Sequence, residues 1–167
     1  MEGILARLAV IALTVLAFAA AGVSAMSAFS RNKSAQMVMD TAHLITNARA
    51  GFAQSGNGYA NFTTANGPDL INAGIIPSNM VRNGSTVVDV WGNSMSFASA
   101  NNGAQGVVTF GGGGSETKAQ CGDVVAGMKD YVSLAVGGTT FTASNPPDQL
   151  TASKACTDTA SIVVTFQ

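Results

Sequence analysis

The sequence predicts an α+β protein, with a long N-terminal α-helix whose second half packs against an antiparallel β-sheet head. Three observations point there. Residues 8–30, "LAVIALTVLAFAAAGVSAMSAFS", carry no charge, and an amphipathic helical pattern follows at once. The rest of the chain consists of short β-type runs separated by glycine and asparagine. A chain of 167 residues suits one compact domain with an appendage.

The apolar stretch comes first. Its 23 residues span about 34 Å as a helix, enough to cross a hydrocarbon core. Two readings fit the letters. As a secretory signal, "MEGILAR" is the basic region, "LAVIALTVLAFAAAG" the apolar region and Val23–Ala25 a small-residue cleavage site. As a retained helix, the stretch is a membrane anchor or the packing surface of an assembly. We expect it to be retained, and its helical pattern runs on past residue 30.

In "SAQMVMDTAHLITNARAGF", Met37, Val38, Thr41, Leu44, Ile45, Ala48 and Phe52 recur at spacings of three and four. Lys33, Gln36, Asp40, Asn47 and Gln54 fall mostly off that stripe. Gly56, Asn57 and Gly58 supply the stop. No proline interrupts residues 1–67, so one nearly continuous helix of about 52 residues, roughly 80 Å long, is expected. That exceeds the width of a small domain, so its first half should protrude. Gly22 is its soft point, since glycine weakens a helix interior by about 1 kcal/mol.

Residues 55–85 read as loop-rich, with a short helix over Asp69–Ala73. Strand-like runs follow at 85–91, 94–99 and 106–110, then a hairpin over 131–143 turning at Gly137 and Gly138, and a last strand at 161–166. Between them, Cys121–Asp130 has helical spacing at Val124, Val125 and Met128. Alternation favours an antiparallel sheet with one face on a core, and the amphipathic half-helix is its natural cover. The expected organisation is an apolar stalk at 1–30, the amphipathic half of the same helix at 31–54, and an α/β head at 55–167.

Composition limits function. A net charge of −1 offers no basic stripe for nucleic acid. Only 10% of residues are charged, which suits either a surface that packs on copies of itself or a secreted polar protein. Cys121 and Cys156 are too few and too far apart for a zinc site. They read as an intramolecular disulfide closing the C-terminal region of the head, with two unrelated buried thiols as the alternative, and the disulfide places the head in an oxidising compartment.

No catalytic, cofactor-binding or metal-binding set emerges, and an enzyme is not expected. His43 reads as a helix-surface or head-packing residue and Trp91 as a core anchor. "GGGGSETK" (111–118) lacks the glycine before lysine that a phosphate loop needs, and reads as a flexible surface loop. Asn61 and Asn83 stand in glycosylation sequons that arise at chance frequency.

The whole pattern resembles that of class b type IV pilins. The apolar helix running into "SAQMVMDTAHLITNARAGF" carries the resemblance, followed by "LINAGIIPSNMV" (70–81), "VWGNSM" (90–95) and the late pair Cys121 and Cys156. The resemblance implies the pilin fold and no cofactor. It also implies that Met1 is the first residue left after a prepilin peptidase removes a basic leader, and that Met1 is N-methylated.

The implied function is that of major subunit of a type IVb pilus. It would polymerise through the N-terminal helix into an extracellular filament for attachment or mating-pair contact. The alternative is a membrane-tethered minor pilin or pseudopilin acting as a periplasmic accessory module. Implied partners are identical subunits, the inner membrane before assembly, the peptidase and the assembly machinery.

Helix–helix packing is expected at Ala12, Leu13, Leu16, Ala20 and Gly22. One departure stands out: the family's glutamate at the fifth mature position is Leu5 here, and the nearest acid is Glu2. Glu2 is expected either to pair across subunits with Met1 or Arg7, or to sit at the membrane–water boundary. Arg31 and Lys33 flank the apolar stretch on the side expected to be external, against the positive-inside tendency, and a basic leader would offset them.

Overall fold

The structure, a computed structural model, describes residues 28–52 and 55–167. It divides into two compact units, Met1–Asn32 and Lys33–Gln167. In the first, residues 28–32 are described and are helical.

Helix α1 covers 28–52. Within the second unit its stripe is the one read from the sequence. Met37, Leu44, Ile45 and Ala48 join the core, with Val38 and Phe52 packed at its margin. Asp40 departs from expectation, because it is buried. Its position, three residues after Met37 and four before Leu44, places it on the stripe, and its carboxylate accepts a 2.7 Å hydrogen bond from Gln36 Nε2.

Polar side chains of α1 also reach distant backbone. Arg49 Nε and Nη2 donate to the carbonyls of Gln167 and Asp130, each at 2.7 Å. Asn47 Nδ2 donates to the carbonyls of Gly74 and Ile75.

After a turn in which the Gly58 N–H donates to Ser55 O, short 3₁₀ segments lead to helix α2 (Gly67–Asn72). Pro68 suits the first turn of α2, where its missing N–H costs nothing. A two-stranded ribbon of β1 (Val81–Arg82) and β2 (Thr86–Val87) precedes the main sheet. The strand expected over 85–91 is therefore reduced to two residues. Asp89 ends it, its Oδ1 accepting hydrogen bonds from the N–H groups of Trp91 and Asn93 and closing a turn.

The main sheet contains β3 (Ser96–Ala100), β4 (Gln105–Gly111), β5 (Ser133–Val136), β6 (Thr139–Thr142) and β7 (Ser161–Phe166). Its order is β3-β4-β7-β5-β6, antiparallel throughout, so the last strand of the chain fills the centre. Alternation decides which face is buried. Val108 pairs with Val164 and Phe110 with Ile162, while Leu134 pairs with both Val164 and Phe141. All of these side chains are buried.

Gly106 stands opposite Phe166, and a Cβ there would meet the Phe166 ring at 2.5 Å. The absent side chain lets that ring lie across β4 and join Phe52, Tyr59, Phe62 and Phe97 in an aromatic cluster.

Helix α3 (Lys118–Gly127) begins three residues before the expected start, at a reciprocal cap between Thr117 and Gln120. Helix α4 (Gln149–Ala155), absent from the sequence-based expectation, has the same device between Asp148 and Thr151. The two helices pack closely at Gly122, where a Cβ would come within 3.2 Å of Ser153 Cα.

Candidate functional site

Three regions could carry function: the N-terminal apolar segment, the cysteine-bounded region, and a pair of buried carboxylates at the edge of β4.

Met1, Glu2, Arg7, Ala12, Leu13, Leu16, Ala20 and Gly22 all lie outside the described residues. Among the described residues, no helix is long and apolar enough to cross a membrane.

Cys121 on α3 and Cys156 at the end of α4 are joined as a disulfide, with Cα atoms 5.9 Å apart. Both are buried, so the bond clamps the two helices from inside. Polar contacts fasten the outside: Gln149 Nε2 donates to Asp123 Oδ1, and the Lys118 N–H donates to Asp158 Oδ1. The Asp148 carboxylate accepts from the Thr151 backbone N–H, which holds its pKa below the ordinary carboxylate value. Leu150 on α4 is 64% exposed and Met39 on α1 is 52% exposed.

The carboxylate pair corrects the reading of residues 111–118 as a flexible loop. Glu116 is 2% exposed and Asp89 is 4% exposed. Asp89 Oδ2 accepts from the Gly111 N–H and from Asn93 Nδ2, each at 3.0 Å. Glu116 Oε2 accepts from the same Asn93 Nδ2 at 2.9 Å, and Glu116 Oε1 accepts from the Gly112 N–H. Ser115 Oγ donates to Asn93 Oδ1.

Every carboxylate oxygen is thus engaged, and the glycine-rich segment is tied to the 88–94 turn. Gly111, Gly112 and Gly114 take positive φ angles, which glycine adopts without strain. Both acids are buried and each of their oxygens accepts from an N–H donor of the turn or the glycine run, so the arrangement braces the loop. Among the described residues no group of His, Cys, Asp and Glu is placed to hold a metal ion. His43 is exposed on α1. Trp91 packs half-buried against the core, with its Nε1 enclosed and without a partner among the described residues.

The family described as PilS N terminal matches residues 31–167. No protein with a curated description matches the chain. Among solved structures, the chain is similar to the crystal structure of a type IV b pilin from Salmonella typhi. That likeness has a TM-score of 0.63 and 22% identity, and covers 80% of this chain and 99% of that one. It is also similar to TcpA, a type IV pilin from Vibrio cholerae El Tor biotype, with a TM-score of 0.55 and 17% identity. There 81% of this chain and 98% of that one are covered. The chain belongs to the PilS family, and its fold is that of a class b type IV pilin.

Proposed function

We propose that this chain is the major structural subunit of a type IVb pilus, polymerising through its N-terminal helix into an extracellular filament for attachment or mating-pair contact. One observation carries the reading: the family match begins at residue 31, and the 23 residues just before it carry no charge. A helix apolar on every side is unfavourable in water. It waits in the inner membrane, then exchanges lipid for the same segment of other copies.

Ala12, Leu13, Leu16, Ala20 and Gly22 form the contact, since small residues let helices approach closely. Head-to-tail contacts that do not close on themselves give a helical filament. Glu2 takes the part of a buried partner for Met1 or Arg7 of a neighbour. A prepilin peptidase and an assembly apparatus are the machinery this route requires.

Shearing cells that express the chain and imaging the released material by negative stain tests the reading. Thin fibres in which this chain is the abundant species support it. A chain found only in membrane fractions, with no fibres or with fibres of another subunit, supports a tethered accessory pilin instead.

A further inference from the structure

We propose that Asn83 is a site of spontaneous deamidation, at which the folded head gains one negative charge while its other Asn-Gly pairs are protected. The sequence holds four such pairs, at Asn57, Asn66, Asn83 and Asn102. A glycine after asparagine leaves the backbone nitrogen unhindered. Sequence alone therefore ranks the four equally, and the fold separates them.

Asn57 is restrained because the Gly58 N–H, the nucleophile, donates to Ser55 O at 3.0 Å. A Cβ on Gly58 would lie 2.3 Å from Gly103 O, so its backbone is also packed. Asn66 is held by its side chain, whose Nδ2 donates to Asn61 O at 2.9 Å, and Gly67 is buried at the start of α2. Gly103, after Asn102, is buried, and a Cβ there would come 2.9 Å from Asn57 O.

Asn83 differs on each count. It tops the three-residue turn between Arg82 and Thr86, and every residue from 82 to 86 is exposed. Nothing lies within 4 Å of a Cβ placed on Gly84. Among the described residues, no hydrogen bond engages the Asn83 side chain or the Gly84 N–H. Asn83 has φ 52° and Gly84 φ 76°. Asn102 has the same left-handed φ of 53°, so what sets Asn83 apart is its exposed, unpacked tip.

The chemistry needs only water. The Gly84 nitrogen loses its proton and bonds to Asn83 Cγ. The Cγ–Nδ2 bond breaks and ammonia leaves, giving a cyclic imide. Water then adds to either imide carbonyl and cleaves that C–N bond, yielding aspartate or isoaspartate. Each event takes the formal net charge of −1 one unit lower.

The test is to incubate the full chain, folded in detergent at mildly alkaline pH, and follow each pair by peptide mass mapping and isoaspartyl methyltransferase labelling. Asn83 should convert on the order of tenfold faster than the other three, a barrier difference of about 1.4 kcal/mol. In urea the four rates should converge. N83Q should abolish the main acidic isoform on isoelectric focusing. Conversion at Asn83 no faster than at Asn57, Asn66 and Asn102 in the folded chain would overturn the proposal, as would an acidic isoform that persists in N83Q.

Discussion

Replacing Glu116 tests the brace at the edge of the sheet. Its carboxylate accepts two hydrogen bonds, from Asn93 Nδ2 and the Gly112 N–H. Bonds to a charged group contribute about 1.5–3 kcal/mol each, so losing both in E116A is worth about 3–6 kcal/mol. Two features place the expected cost near 3 kcal/mol, the lower end of that range. Asn93 retains Asp89 as a partner, and half-exposed Gly112 regains water. E116Q keeps one acceptor oxygen and should lose about half as much.

Urea unfolding of the full chain in detergent is the assay, followed by fluorescence of the single tryptophan. Trp91 is well placed to report, since its N–H donates to Asp89 within the same cluster. Hydrogen exchange at Gly112 should accelerate in parallel. A cost for E116A below about 0.5 kcal/mol, typical of an ordinary surface site, would refute the brace.

Three further outcomes follow from the fold. The cysteines are 35 positions apart, so replacing both by alanine should cost about 4 kcal/mol by loop closure, read as a lower urea midpoint than the oxidised parent. G106A should cost about 1–3 kcal/mol by overpacking against the Phe166 ring, and adding F166L should recover part of that in a double-mutant cycle. Burial raises the hydroxyl pKa of Tyr59 and Tyr131 above 10.0, with the Arg49 charge opposing it at Tyr59. The folded state therefore holds those protons more tightly than the unfolded chain. Stability should be full below about pH 10 and fall as pH rises further, and the double variant Y59F/Y131F should flatten that decline in a urea series.

What the sequence disclosed depended on how local the signal was. The stripe on α1, the alternation of β4 and β7 and the hairpin at Gly137–Gly138 each rest on neighbours in the chain, and each stands in the fold. The capping boxes Thr117–Gln120 and Asp148–Thr151 were local too. A capping residue followed three positions later by its partner marks the start of α3. The start of α4 was harder, because its one large apolar residue, Leu150, faces solvent and its buried Ala152 gives little period.

Glu116 could not be read locally, since its partner Asn93 is 23 residues away and its other contact lies inside a glycine run. Asp89 carries the same lesson: a β-rich "STVVDVW" hides a turn that only its acceptor oxygens reveal. Placing β7 between β4 and β5 is a long-range choice that no local pattern encodes.

The central claim is that the uncharged N-terminal segment packs on copies of itself in a filament. Cryo-electron microscopy of sheared fibres from expressing cells tests it most directly. Residues 1–30 should appear as helices at the fibre axis, with Ala12, Leu16 and Ala20 against the same segment of neighbouring subunits and the heads outside. Fibres in which that segment is missing, or lies outside the axis without contact between copies, would contradict it.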